Sequence, residues 1–118
     1  MIRSDCNIWH CCPCCGYPTF TERGGFEICW ICNYEDDGLD DSNPDDISGP
    51  NGDYTLSEMK FNFNLYGTKY RPNDIRQKNK LSGNISERMN VIIGQYRWST
   101  EPILLSPKEI ALINETVA

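Results

Sequence analysis

Seven cysteines lie within the first 32 residues of a 118-residue chain, at positions 6, 11, 12, 14, 15, 29 and 32, and none follows. Thiols at this density pair as disulfides, exchange redox equivalents or hold a soft metal. An odd count leaves any complete disulfide framework with one thiol over. The opening run Met1-Ile-Arg-Ser-Asp-Cys-Asn7 has no apolar stretch of the secretory kind, so a cytoplasmic, reducing setting is expected. Dense cysteines in that setting more often take metal than persist as disulfides. The spacing agrees. Cys12-Pro-Cys-Cys15 and Cys29-Trp-Ile-Cys32 are C-x-x-C pairs with 13 residues between them. Two such turns supply four thiolates in a tetrahedron, which suits a structural Zn²⁺. A thioredoxin-like use of the first pair needs a helix to begin there, and Gly16-Tyr-Pro-Thr19 does not start one. The register has an alternative, because Cys11-Cys-Pro-Cys14 is an overlapping C-x-x-C. Cys12, Cys15, Cys29 and Cys32 are the preferred ligands. Cys11 or Cys14 remains open as a substitute, and Cys6 and His10 are the other nearby ligand types.

The elements that must position these sulfurs are short. Tyr17–Thr21 is rich in aromatic and β-branched residues and reads as a strand, Glu22–Gly25 as a turn and Phe26–Ile28 as the return strand. A hairpin alone is marginal in water, so metal is expected to supply missing stability. Thr55-Leu-Ser-Glu58 is a capping box, with Tyr54 and Met59 at staple positions. Leu56, Met59, Phe63 and Tyr66 follow at helical spacing and Gly67 supplies a stop, which predicts a helix over 56–66 with a core-facing stripe. A second helix is expected over 86–96. A third opens at Ser106-Pro-Lys-Glu109 and carries Ile110 and Ile113. No internal repeat is visible. The expected fold is small α+β: a zinc-ribbon-like β-hairpin with two Cys knuckles, packed against two to three short helices. One domain spans 1–118, with the ribbon at 11–34, an acidic loop at 35–53 and a helical region at 54–118.

Charge is segregated along the chain, whose net formal charge is −6. Between Gly24 and Met59 there are ten acids and no Lys or Arg. Pro44, Gly49, Pro50 and Gly52 break that stretch into loop. The D-x-D-x-D-G spacing of a calcium loop is absent. An anionic contact surface for a basic partner is therefore expected, formed by Glu35, Asp36, Asp37, Asp40, Asp41, Asp45 and Asp46, with Trp30 and Tyr34 as aromatic anchors. From Lys60 to Arg97 the balance reverses, with eight basic residues against Asp74 and Glu87, and internal pairing with the acids is the simplest account.

Cys12-Pro-Cys-Cys-Gly-Tyr17, Glu22-Arg-Gly24, Glu27-Ile-Cys29, Cys32, Glu35-Asp-Asp37, Asn51-Gly52 and Leu56-Ser-Glu58 together resemble the bacterial cysteine-rich CPCC family over about residues 11–67. Trp30 stands where that family usually has proline. The resemblance implies small metal-binding proteins without an established enzymatic activity, some of them similar to immunity proteins that neutralise toxins. No nucleophile elbow, zincin helix, phosphate loop or dinucleotide fingerprint occurs in the chain, so no enzyme activity is expected. The expected function is one-to-one binding of a toxin domain by a zinc-scaffolded immunity protein, with no membrane association. The alternative is a zinc ribbon associated with nucleic acid or the ribosome, which the net acidity opposes.

Overall fold

A computed structural model describes residues 8–40, 42–76 and 81–117. Strand β1 (Ile8–Cys11) is the middle of a three-stranded antiparallel sheet, flanked by β2 (Pro18–Phe20) and β3 (Ile103–Leu104). Ile8 lies opposite Leu104 and Trp9 opposite Ile103. The pleat thereby puts the two exposed side chains on one face and the two buried ones on the other. Pro18 begins an edge strand, where a missing N–H costs no ladder bond.

The expected hairpin of 17–21 with 26–28 is not the pairing adopted. His10 pairs with Phe20 and Cys11 with Pro18, while Ile28 bridges to Glu35. Each C-x-x-C turn thus closes its own small hairpin. The physical reason is local: the chain enters and leaves a knuckle side by side, so flanking residues pair across that knuckle. The connection between the knuckles is stitched by a side chain, with the Glu27 carboxylate accepting from the Thr21 and Glu22 amides and the Thr21 hydroxyl.

Helix α1 (Leu56–Tyr66) has the predicted bounds. Thr55 Oγ1 accepts from the Glu58 N–H at 3.1 Å, and Gly67 ends the helix in the left-handed region. Tyr54, Leu56, Met59 and Phe63 enter the core, but Tyr66 is left 44% exposed, outside the stripe it was expected to extend. Helix α2 (Leu81–Ile93) begins five residues before its predicted start and gives way to a 3₁₀ turn at Gly94–Tyr96. Helix α3 (Pro107–Val117) carries a full capping box: Ser106 Oγ accepts from the Glu109 N–H at 3.1 Å, and the Glu109 carboxylate accepts from the Ser106 N–H at 2.9 Å. β3, a strand that was not expected, falls between the second and third helices, and it buries Ile103 beside Trp9. Among the described residues no helix is long and apolar enough to cross a membrane.

Candidate metal centre

The two knuckles are copies of one six-residue structure. Cys12-Pro-Cys-Cys-Gly-Tyr17 and Cys29-Trp-Ile-Cys-Asn-Tyr34 share the pattern C-x-x-C-[G/N]-Y, so an internal repeat exists where none was expected. Each turn is closed by the same two bonds. The Gly16 and Asn33 amides donate to the Cys12 and Cys29 carbonyls, both at 2.8 Å. The Cys12 and Cys29 amides donate to the Tyr17 and Tyr34 carbonyls, again at 2.8 Å. Gly16 and Asn33 occupy the left-handed region with φ of 84° and 73°, a conformation that Gly and Asn tolerate best. The repeat escapes a scan for long periods because it is short and its fifth position changes residue type.

The sulfurs of Cys12, Cys15, Cys29 and Cys32 converge, all within 4.8 Å of one another, and all four residues are buried. The close approaches run across the knuckles, 3.7 Å from Cys12 to Cys32 and 3.6 Å from Cys15 to Cys29. Donors already point at the sulfurs. The amides of Cys14 and Tyr34 lie 3.4 and 3.5 Å from the sulfurs of Cys12 and Cys32, and the Thr19 hydroxyl lies 3.2 Å from that of Cys29. Burial pushes the Cys12, Cys15 and Cys32 thiols well up. Burial opposes ionisation of Cys29 too, yet hydrogen bonds from Cys12, Cys15, Cys32 and Thr19 hold it well below the ordinary thiol value. Four soft donors with preplaced N–H and O–H partners form a site suited to a thiophilic metal ion.

The model of the family described as Cysteine-rich CPCC matches residues 10–82. The chain belongs to this family. No curated protein and no solved structure matches it. The CPCC match takes in both knuckles and α1 and ends at the start of α2, leaving β3 and α3 outside.

Straps brace each knuckle of this CPCC protein from outside. Beneath the first, Arg97 Nε donates to the Cys15 carbonyl at 2.6 Å, and the Trp98 amide donates to the Gly16 carbonyl at 2.8 Å. Cys11 is half-buried and turned away from the cluster, its thiol donating to the Tyr96 carbonyl at 3.3 Å. Beneath the second, the Lys69 amide donates to the Cys32 carbonyl at 3.0 Å. Lys69 is itself only 4% exposed, with Nζ 2.6 Å from Asn51 Oδ1. Asn51 in turn accepts from the Glu35 amide and donates to the Glu35 carbonyl, so its side chain pairs like a strand. Sequence reasoning missed Arg97, Trp98 and Lys69 as supports. Asn51-Gly52 stood among the family motifs, but its bond to the knuckle exit was not legible.

Cys14 is buried against the cluster without being one of the four converging sulfurs, and burial raises its thiol. His10 sits in β1 opposite Phe20, apart from them. Cys6 and Asp41 lie outside the described residues.

The expected partner surface is partly dismantled. Tyr34 is fully buried, its hydroxyl donating to Asp37, and so cannot serve as an exposed anchor. Asp36 is buried as well, accepting from Arg23 Nε at 2.9 Å, the Gly24 amide at 2.7 Å and the Gly38 amide at 3.1 Å. Asp37 also takes a hydrogen bond from Ser48, and Glu35 is held through its backbone by Asn51. These three acids shape the loop. Trp30 is half-buried, while Asp40, Asp45 and Asp46 are exposed.

Proposed function

We propose that Cys12, Cys15, Cys29 and Cys32 hold one structural Zn²⁺, and that the braced knuckles present a fixed acidic surface to a basic protein partner. The reading rests on the convergence of four buried sulfurs within 4.8 Å. Zinc at about 2.3 Å from each sulfur requires tetrahedral edges of about 3.8 Å. The closest cross-knuckle pairs, at 3.7 and 3.6 Å, are near that edge. When bound, the ion supplies a cross-link that substitutes for apolar core. Four thiolate ligands leave no open position for substrate, so the site scaffolds rather than catalyses.

Metal analysis of the reduced, purified chain is expected to find one zinc per molecule. Chelation is expected to erase the dispersed amide signals of residues 12–34, as is Cys12→Ser or Cys29→Ser. Metal-free protein with those signals intact would remove the proposal's foundation.

The finer reading is an immunity protein that neutralises a basic toxin domain by one-to-one complex formation. It is supported by the exposed carboxylates of Asp40, Asp45 and Asp46. Those of Asp45 and Asp46 have no partner among the described residues. The basic stretch is less available to phosphate: Arg71 pairs with Glu58 and Asp53, Arg76 pairs with Asp74, and Lys69 is buried. The test is co-purification with a basic toxin domain encoded beside this chain. A stoichiometric complex whose association slows in Asp45→Asn/Asp46→Asn supports it; absence of a complex refutes it.

A further inference from the structure

Arg97 has a second side. Its Nε is committed to the Cys15 carbonyl at 2.6 Å. Its guanidinium carbon lies 4.7 Å from the ring centre of Tyr17, 5.4 Å from that of Trp98 and 5.6 Å from that of Phe63. Aromatic contacts and a backbone bond thus fix a cation in place. Arg23, Arg71 and Arg76 each meet a carboxylate. Arg97 meets none among the described residues, and its two terminal amino groups have no acceptor there. Those nitrogens are not enclosed in the protein interior.

Arg97 belongs to the lining of a cleft of about 330 Å³ between the first knuckle, α1 and α2, together with Tyr17, Phe63, Asn64, Glu87 and Asn90. The Tyr17 hydroxyl is oriented by two acceptors, the Ser86 carbonyl at 3.3 Å and Asn90 Oδ1 at 3.4 Å. Asn64 and Asn90 bring amide donors to the same lining. Ring contacts at the guanidinium leave its N–H edge as the natural docking side, and that edge matches a carboxylate in a bidentate pair.

We infer that the Arg97 cleft is a binding site for a carboxylate group. A carboxylate is favoured over a phosphate dianion because Glu87 shares the lining and, among the described residues, no second cation does. The chain's net charge of −6 makes general anion attraction a poor explanation of any binding seen there. The brace to Cys15 employs one N–H of Arg97, so it leaves the remaining edge unaccounted for.

The test is an NMR titration of the full reduced chain with sodium acetate, succinate, and a tripeptide carrying either a free or an amidated C-terminus. Sodium chloride at matched ionic strength is the control. Saturable shifts are expected at Arg97 Nε–H and at the Asn64 and Asn90 side-chain amides. Asn64→Asp adds a second carboxylate to the lining from an exposed position on α1, so the fold is retained, and affinity should fall at least tenfold. Arg97→Lys keeps the charge but loses the paired edge, and should weaken binding as well. A free-ended tripeptide that binds more tightly than acetate marks a chain terminus as the source; equal affinities mark a small acid. Shifts that chloride reproduces, the absence of saturation with every carboxylate, or unchanged affinity in Asn64→Asp overturns the inference.

Discussion

Gly16 is the point where a cysteine knuckle and its strap come closest, and replacing it with alanine separates two costs. The backbone there has φ of 84°. An L-residue in that region costs roughly 1–2 kcal/mol. A Cβ at Gly16 would also stand 2.5 Å from two atoms of the Trp98 ring, too close for carbon atoms to coexist. Overpacking of this kind adds roughly 1–3 kcal/mol. Gly16→Ala should therefore destabilise the protein by about 2–5 kcal/mol, the sum of those two terms. At roughly 4 °C per kcal/mol for a chain of this size, the fall in Tm is about 8–20 °C. Gly38 is the internal control: its φ is 90°, yet a Cβ there meets nothing within 4 Å. Gly38→Ala should cost only the backbone share, about 1–2 kcal/mol. In a Trp98→Ala background the cost of Gly16→Ala should fall by about 1–3 kcal/mol, the steric share. The backbone of residue 98, itself in the left-handed region with φ of 65°, stays as strained with alanine, which keeps its Cβ. Urea unfolding of the wild type, Gly16→Ala, Trp98→Ala and the double variant completes the cycle. Displacing Trp98 also disturbs its bond to Gly16 and the neighbouring Arg97 brace, so metal release to a chelator should quicken in Gly16→Ala more than in Gly38→Ala. If Gly16→Ala costs no more than Gly38→Ala, the close approach of strap and knuckle is not a determinant of stability.

Arg23→Ala removes the cation facing the buried Asp36 carboxylate, and urea unfolding should show a loss of about 2–3 kcal/mol, less than for a fully enclosed pair because the Arg23 side chain is 32% exposed. A loss below about 1 kcal/mol would mean the Gly24 and Gly38 amides suffice for Asp36. Arg71 holds Glu58 below the usual carboxylate range, and Arg76 followed by Tyr54 does the same to Asp74. Lowered folded values mean the unfolded chain takes up protons first as the medium acidifies. Their contribution is therefore complete above about pH 4.5 and lost as the pH falls through the folded values. The stability gap between wild type and Glu58→Gln should accordingly shrink from pH 6 to pH 3, and a gap independent of pH counts against the pairing. Ser106→Ala breaks the reciprocal box that opens α3 and should cost about 1 kcal/mol in thermal unfolding; no change would show that the Pro107 start alone sets the helix.

Local chemistry made α1 legible. Thr55, Glu58 and Gly67 are start and stop signals that act within a few residues, and the observed bounds of the helix follow them. The four converging cysteines were legible for the same reason, since a C-x-x-C turn announces itself by spacing. Pairing partners were not. Phe26–Ile28 alternates as a strand should, yet alternation names no neighbour, and Ile28 bridges to Glu35 across the knuckle. The two-residue strand Ile103–Leu104 is too short to leave a pattern, and the far end of the chain recruits it to β1. Asp36 and Tyr34 looked like surface because acidic loops usually are solvated. What turned them inward was an arginine 13 residues upstream and an aspartate 3 residues downstream, relations that composition does not encode.

The two straps divide unevenly between the family region and the remainder of the chain. Lys69, which braces the Cys32 carbonyl, lies within the matched residues 10–82; Arg97 and Trp98, which brace Cys15 and Gly16, lie beyond them. The stretch after residue 82 is therefore no appendage to a finished cysteine cluster. It completes the support of the first knuckle, adds β3 to the sheet beside β1 and supplies one wall of the Arg97 cleft. A thin core makes this sharing necessary, because neither hairpin buries enough apolar surface to stand alone. The consequence is mechanical. Arg97 both lines the cleft and is bonded directly to the carbonyl of Cys15, so one side chain joins that surface to the first knuckle.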